Sequence, residues 1–248
     1  MSVESTIETF RARDGAALRY TLRRTGAGRV LLVVPGILTH RDSAEHRLLA
    51  MRLEPIADVA TLDVRGHGDS EGAFSWGLRE PDDVSGLALH LRTRYRRVGA
   101  IGFSFGGYHV AVAAGRSEVG PLFDAAALVA APARLFILDH NFLTPGLLRS
   151  LPLMARRRRR WTRMGYGGLR GRDTPLRLVH RIGPTPLLIA HGTADWLVPP
   201  KHSRWLHARA SEPRELLLIE GGLHAEYLLS RDPERLVGPL QEFFGRYL

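Results

Sequence analysis

Short, predominantly apolar runs recur along the chain and are separated by longer segments with helical periodicity. A continuous apolar run is typical of a strand that is covered on both faces. These runs are residues 30–34, 59–62, 97–101, 125–130, 187–190 and 216–219. The segments between them favour helices, which we predict at residues 41–54, 81–95, 108–114, 201–210 and 232–247. The alternation predicts an α/β fold with a mostly parallel central sheet flanked by helices.

The first part of the chain follows a different pattern. Residues 7–11 and 18–22 alternate apolar with polar side chains on either side of Asp14-Gly15. Alternation with period two is typical of strands, and Asp-Gly between two such strands is a hairpin turn. We therefore expect an antiparallel hairpin at one edge of the sheet.

A serine stands where the strand at residues 97–101 passes into the next predicted helix. The local sequence is Gly-Phe-Ser-Phe-Gly, with Ser104 between Gly102 and Gly106. A sharp strand-to-helix bend needs glycine at these two flanking positions, because side chains there would collide with the neighbouring strand or helix. The bend exposes the serine hydroxyl above the sheet and directs the backbone N–H of Phe105 toward whatever the serine attacks.

An acid and a histidine follow this serine, each just after a predicted strand. Asp195 follows the strand at residues 187–190, and His224 follows the strand at residues 216–219. A serine hydroxyl needs a base within hydrogen-bonding reach and a third group that orients the base. Asp124 and Asp139 are weaker candidates for the acid, because they lie before a strand or in an insertion.

With these motifs in this order, the chain resembles the α/β-hydrolase superfamily. The resemblance implies that Ser104 is the nucleophile, Asp195 the acid and His224 the base. It also implies an oxyanion hole formed by the backbone N–H groups of Phe105 and Ile37. Pro35 departs from the pattern, since the family usually has histidine before this glycine, and it leaves open how the loop that carries Ile37 is held.

The resemblance extends to a second loop, at residues 63–72. Its sequence matches the Asp-x-Arg-Gly-His-Gly-x-Ser pattern of many α/β hydrolases, where the loop shapes a wall of the site. His67 lies between two glycines in this loop, and we interpret it as structural rather than as a base.

Strand and helix alternation is interrupted at residues 134–173, where the superfamily inserts a cap over the active site. We predict a small helical cap here. It contains five consecutive arginines, and Arg156, Arg158, Arg160 and Trp161 are candidates for binding an anionic, amphiphilic substrate. Two alternatives stay open: the arginines form a solvated helix face, or the segment contacts an anionic membrane surface.

Composition adds limits to this interpretation. The 248 residues suffice for one α/β domain spanning residues 1–248. The net charge of +10 comes almost entirely from arginine, Lys201 being the sole lysine, so we attribute it to base composition rather than to a nucleic-acid partner. There is no cysteine, and the 11 histidines are scattered, so the sequence predicts neither a metal site nor a cofactor. The polar start of the chain and the absence of cysteine favour a cytoplasmic protein.

The functional hypothesis from the sequence is a serine hydrolase that cleaves carboxylic esters or thioesters of small molecules through an acyl-enzyme. Ser104 excludes the relatives that attack with aspartate. Two alternatives stay open. One is an acyltransferase or cofactor-free haloperoxidase using the same three residues, and the other is a non-catalytic protein whose basic cap binds nucleic acid or anionic lipid.

Overall fold

The central sheet organises the chain. The computed structural model describes residues 3–118, 120–134, 162–165 and 173–248, and within them the sheet has eight strands. They are β1 (Glu4–Arg11), β2 (Ala17–Arg24), β3 (Arg29–Val34), β4 (Asp58–Leu62), β5 (Arg97–Phe103), β6 (Ala125–Val129), β7 (Leu187–Gly192) and β8 (Arg214–Ile219). Their spatial order is β1-β2-β4-β3-β5-β6-β7-β8. The β1–β2 and β2–β4 pairs are antiparallel, and the other pairs are parallel. The predicted α/β fold with a mostly parallel sheet is confirmed.

Helices cover both faces of this sheet. They are α1 (Ala44–Leu53), α2 (Glu80–Arg92), α3 (Phe105–Arg116), α4 (Pro175–Leu178), α5 (Lys201–Arg209), α6 (Glu226–Arg231) and α7 (Glu234–Tyr247). Consecutive side chains of a strand point to opposite faces, so β3 contributes Leu32 and Val34 to one core and Leu31 and Val33 to the other. The first core packs against α2, α3 and α5, and the second against α1, α6 and α7. Burial on both faces explains the continuous apolar runs of the inner strands.

The order of the inner strands creates a crevice at their carboxyl ends. After β3 the chain crosses by α1 to β4 on one side, and then by α2 to β5 on the other side of β3. The loops that leave β3 and β5 therefore diverge to opposite faces. Open α/β sheets bind their ligands at such a switch point, and Ser104 directly follows β5 there.

Element boundaries differ from the sequence-based prediction mainly near the C-terminus. The hairpin pairs as predicted, with Phe10 opposite Leu18. The predicted helix at residues 232–247 begins at Glu234 instead, after Pro233, whose ring favours the start of a helix. The short helix α6 precedes it and was not predicted, because six residues are too few to display a clear period.

Most of the predicted cap lies outside the described residues, and so do Arg156, Arg158, Arg160 and Trp161. The cap at residues 134–173 and the single-domain organisation therefore stay predictions. Within the described part of this segment, Phe74 N–H donates to the Arg163 carbonyl at 2.8 Å and Gly165 N–H donates to the Phe74 carbonyl at 2.8 Å. In the described ranges, no helix has both the length and the apolar character needed to cross a membrane.

Candidate active site

Ser104 occupies a strained turn between β5 and α3. Its backbone has φ 50° and ψ −119°, a conformation that L-residues rarely adopt. A Cβ added to Gly102 would lie 2.5 Å from Gly107 Cα, and one added to Gly106 would lie 2.0 Å from the carbonyl oxygen of Val34 in β3. Neither position has room for a side chain, so the two glycines allow the close packing of strand and helix that holds Ser104 in this turn.

Three sequence-predicted residues from different strand ends meet in one hydrogen-bonded chain. Ser104 Oγ lies 2.9 Å from His224 Nε2, and His224 Nδ1 lies 2.7 Å from Asp195 Oδ2. The three follow β5, β8 and β7 respectively, whose carboxyl ends share one edge of the sheet. All three side chains are buried, which shields their hydrogen bonds from competing water.

The Asp195 carboxylate is satisfied on both oxygens. Oδ1 accepts the backbone N–H groups of Leu197 at 2.8 Å and Val198 at 2.9 Å, while Oδ2 accepts from His224 and contacts His191 Nε2 at 3.1 Å. Burial alone would raise the pKa of Asp195. The positive charge of protonated His224 and the hydrogen bonds from both histidines outweigh burial and lower this pKa below its ordinary value. Asp195 is therefore ionised at neutral pH and can orient His224.

His191 is a member of this arrangement that the sequence reasoning did not identify. Its Nε2 lies 2.8 Å from the Val198 carbonyl oxygen, which only accepts hydrogen bonds, so Nε2 carries the proton. Its Nδ1 lies 2.6 Å from Ser203 Oγ, which can then donate to it. The pattern His-Gly-x-x-Asp is the sequence signal that could have connected His191 to Asp195.

The backbone N–H groups expected to form an oxyanion hole flank Ser104. Phe105 begins α3 directly after the serine, and Ile37 lies in the loop after β3. A cavity of about 30 Å³, large enough to hold an ordered water molecule, adjoins Ser104 and His224. Its remaining walls include the polar side chains of Thr39 and Glu226, and the rest are apolar, from Ile37, Leu38, Leu197 and Tyr227. Apolar walls strengthen hydrogen bonds to a negative charge that develops between them.

The loop that carries Ile37 is held by side chains from two distant segments. Gly36 N–H donates to Glu226 Oε1 at 2.9 Å, and Leu38 N–H donates to His67 Nε2 at 3.2 Å. Leu38 has φ 66°, so the loop is strained at the residue that His67 holds. These contacts show how the loop is held although Pro35 replaces the usual histidine.

His67 is buried and has both ring nitrogens engaged. Nδ1 lies 3.1 Å from the Arg65 carbonyl oxygen, so it carries the proton, while Nε2 accepts from Leu38. Burial lowers the pKa of His67, which keeps the ring neutral. These contacts agree with the interpretation of His67 as structural and add that it supports the loop that carries Ile37.

The rest of the loop at residues 63–72 is fixed by a buried carboxylate. Asp63 accepts the backbone N–H groups of Arg41 at 2.8 Å and Asp69 at 2.9 Å, and it also pairs with the Arg41 guanidinium. The network ties the segment after β3 to the segment after β4. Among the residues that the structure describes, no cluster of three or more histidine, aspartate or glutamate side chains could hold a metal ion.

Comparison with known proteins places this chain in a family. Residues 29–165, more than half of the chain, match the alpha/beta hydrolase fold family. The uncharacterized protein YfhR of Salmonella typhimurium is 30% identical over 233 residues, which cover 90% of this chain and 75% of that protein.

Two solved structures share the fold over almost their full length. The alpha/beta hydrolase GrgF from Penicillium sp. sh18 has a TM-score of 0.82 at 18% identity, covering 98% of this chain and 99% of that one. The Pyrococcus furiosus esterase Pf2001 has a TM-score of 0.76 at 20% identity, covering 99% of this chain and 93% of that one. The chain therefore belongs to the alpha/beta hydrolase family, and this membership supports its assignment as a hydrolase enzyme.

Proposed function

We propose that the protein is a serine hydrolase that cleaves carboxylic esters or thioesters of small molecules through an acyl-enzyme. The observation that carries this proposal is the continuous hydrogen-bonded chain from Ser104 Oγ through His224 to Asp195, with lengths of 2.9 and 2.7 Å. Because the two bonds use different nitrogens of one imidazole ring, His224 can take a proton from Ser104 while Asp195 stabilises the resulting charge.

Acylation begins when Ser104 Oγ attacks the carbonyl carbon of the substrate and its proton passes to His224 Nε2. The carbonyl π electrons move to oxygen, giving a tetrahedral oxyanion. That oxyanion accepts hydrogen bonds from the backbone N–H groups of Ile37 and Phe105, which do not have to reorganise as the charge develops. The intermediate collapses when the bond to the alcohol or thiol breaks, and His224 returns the proton to the leaving group.

Deacylation repeats the same steps with water as the nucleophile. His224 Nε2 takes a proton from water, the resulting hydroxide attacks the acyl carbon, and the same N–H groups stabilise the second oxyanion. The bond to Ser104 Oγ breaks, the proton returns to that oxygen, and the carboxylic acid leaves. No further reactant is required.

Esters and thioesters are the substrate class that these residues support best. A serine nucleophile forms acyl-enzymes, whereas the dehalogenase and epoxide hydrolase relatives attack with aspartate. The Pyrococcus furiosus structure is described as an esterase, which agrees with this class. Two backbone donors beside a cavity with several apolar walls suit a neutral carbonyl that acquires charge during the reaction.

Hydrolysis of a series of p-nitrophenyl esters of increasing acyl length, with a matched thioester series, tests the proposal. We expect the wild-type protein to release the carboxylic acid from members of at least one series, and Ser104→Ala to lower kcat by roughly 10⁴-fold or more. Ser117→Ala is the control, since Ser117 follows the far end of α3 and bonds the Gly120 carbonyl. Wild-type rates equal to those of Ser104→Ala on every substrate would contradict the proposal.

A further inference from the structure

Glu226 is a buried carboxylate that lies beside Ser104 and that the mechanism above does not use. It is the first residue of α6, two positions after His224, and only 4% of it is exposed. A Cβ added to Gly36 would lie 2.9 Å from Glu226 Oε1 and 3.1 Å from Ser104 Cβ. The carboxylate oxygen is therefore no more than about 6 Å from the carbon that bears the nucleophile, with the Gly36 backbone between them.

The contacts of Glu226 are with the loop after β3. Oε1 accepts the Gly36 N–H at 2.9 Å and lies 3.2 Å from Thr39 Oγ1. The Thr39 hydroxyl is also 2.9 Å from the Gly36 carbonyl oxygen, so one proton is shared between two acceptors. Since Pro35 has no N–H, Glu226 engages the first backbone donor of this loop.

These contacts fix the direction of the Ile37 N–H group. In a trans peptide the carbonyl and the N–H point in opposite directions, so the Gly36 carbonyl and the Ile37 N–H are oriented together. Thr39, held against Glu226, binds that carbonyl, while Leu38 N–H is directed to His67. Among the described residues the Ile37 N–H has no hydrogen-bond acceptor, so it is left for a ligand.

The buried His46 imidazole also lies near the carboxylate, and burial lowers the pKa of His46, which keeps this ring neutral. His46 Nε2 lies 3.7 Å from Glu226 Oε1, and His46 Nδ1 lies 2.8 Å from Ser43 Oγ at the start of α1. The distance to Glu226 is too long for a hydrogen bond. The loop contacts are shorter, so they account for the position of the carboxylate.

We infer that Glu226, acting as a hydrogen-bond acceptor for Gly36 and Thr39, is a positioning residue that aims the Ile37 N–H at the oxyanion. This inference rests on the proposed function. It assigns Glu226 an effect on the transition state and not on substrate affinity, because the ground-state carbonyl carries little of the charge that the N–H stabilises.

The test compares Glu226→Leu, which removes the acceptor, with Glu226→Gln, which keeps one. We expect Glu226→Leu to lower kcat by about 10- to 100-fold with KM changed less than about threefold, since a displaced donor loses much of its effect. Glu226→Gln should retain at least about a third of the wild-type kcat. A trifluoromethyl ketone, which forms a tetrahedral oxyanion on serine, should bind Glu226→Leu more weakly by a factor that matches the loss in kcat.

Thr39 provides a second pair of variants that leaves the carboxylate in place. Thr39→Val removes the hydroxyl with little change in shape and should lower kcat, whereas Thr39→Ser should retain it. The control is Glu220→Leu, because Glu220 is an exposed acid directly after β8. Thermal unfolding of each variant identifies any that do not fold.

The outcomes distinguish failure of the positioning role of Glu226 from failure of the proposed hydrolase function. A wild-type kcat in folded Glu226→Leu, or an equal loss in Glu226→Leu and Glu226→Gln, would overturn the positioning role. If Glu226→Leu does not fold, equal kcat values for Thr39→Val and Thr39→Ser would overturn it. A wild-type protein no more active than Ser104→Ala would instead reject the proposed function, and the inference with it.

Discussion

His191 Nε2 lies 3.1 Å from Asp195 Oδ2, the same oxygen that accepts His224 Nδ1 at 2.7 Å. Two imidazole rings therefore converge on one carboxylate oxygen in the buried site. On the proposed mechanism, His191 lowers the basicity of Asp195 and moderates its interaction with protonated His224. The Val198 carbonyl keeps the His191 proton on the nitrogen that faces Asp195, and Ser203 bonds the other ring nitrogen at 2.6 Å.

Ser203→Ala tests this arrangement. Without the hydroxyl, His191 Nδ1 loses its hydrogen-bond partner, so the ring is held only through Nε2 and its contact with Asp195 weakens. We expect kcat/KM to fall by about tenfold and the acid limb of its pH profile to move to higher pH, because a less stabilised carboxylate favours the protonated form of the neighbouring imidazole. Ser211→Ala, at an exposed serine after α5, is the control. An unchanged acid limb in Ser203→Ala would contradict the relay from Ser203 to Asp195.

The oxyanion donors are testable because they are backbone groups. Ile37→Pro deletes one N–H, and on the proposed mechanism kcat falls by about 10² to 10³. Ile37→Ala keeps the N–H and removes only side-chain contacts with the cavity, so it should cost less than about tenfold. Steady-state kinetics on one p-nitrophenyl ester compare the two variants. Equal losses in both would assign the effect to the side chain and reject Ile37 N–H as a donor.

His109 on α3 predicts a pH-dependent stability. It is fully buried beside Phe74 and Phe105, and among the residues that the structure describes neither ring nitrogen has a hydrogen-bond partner. Burial lowers the pKa of His109 from 6.5 to about 4. Between these values the unfolded chain binds a proton that the folded protein does not. The free energy of unfolding should therefore decrease as pH falls through this window, by about 1.4 kcal/mol per pH unit from this group.

His109→Leu removes the contribution of His109 to the pH dependence of the free energy of unfolding. Urea unfolding at pH 7.5 and pH 5.0 should show that His109→Leu loses less stability on acidification than the wild-type protein. At pH 7.5 the variant should be at least as stable as the wild-type protein, because the substitution removes a buried polar group. His207→Leu on α5 is the control, since His207 is partly exposed. The same loss of stability on acidification in the wild-type protein and in His109→Leu would contradict the prediction.

The sequence predicted the features that depend on local pattern. Ser104 was identified because the turn needs glycine at both flanking positions, and the added-Cβ contacts of Gly102 and Gly106 agree with that reason. Asp195 and His224 were identified by their order after two apolar strands, and the parallel sheet brings both to Ser104. Chain order sufficed here because the carboxyl ends of parallel strands share one edge.

The residues that hold the predicted site in place are set by packing between distant segments, which no local sequence pattern specifies. Glu226 contacts Gly36 across 190 positions of sequence. His191 contacts Ser203 on a different element, and a lone histidine or glutamate near a loop is more often solvated. The loop that carries Ile37 shows what the sequence does not specify. Pro35 indicated that the histidine usual at this position is absent, but only the three-dimensional structure shows that Glu226 and His67 hold the loop.

Labelling with a fluorophosphonate, followed by intact-mass and peptide-mapping mass spectrometry, tests the central claim most directly. The reagent reacts with an activated serine nucleophile and leaves a stable adduct on its oxygen. We predict one adduct per chain, located on Ser104, formed in parallel with the loss of ester hydrolysis and absent from Ser104→Ala. An adduct at another residue, or hydrolysis that persists after Ser104 is fully labelled, would contradict the assignment of Ser104 as the nucleophile.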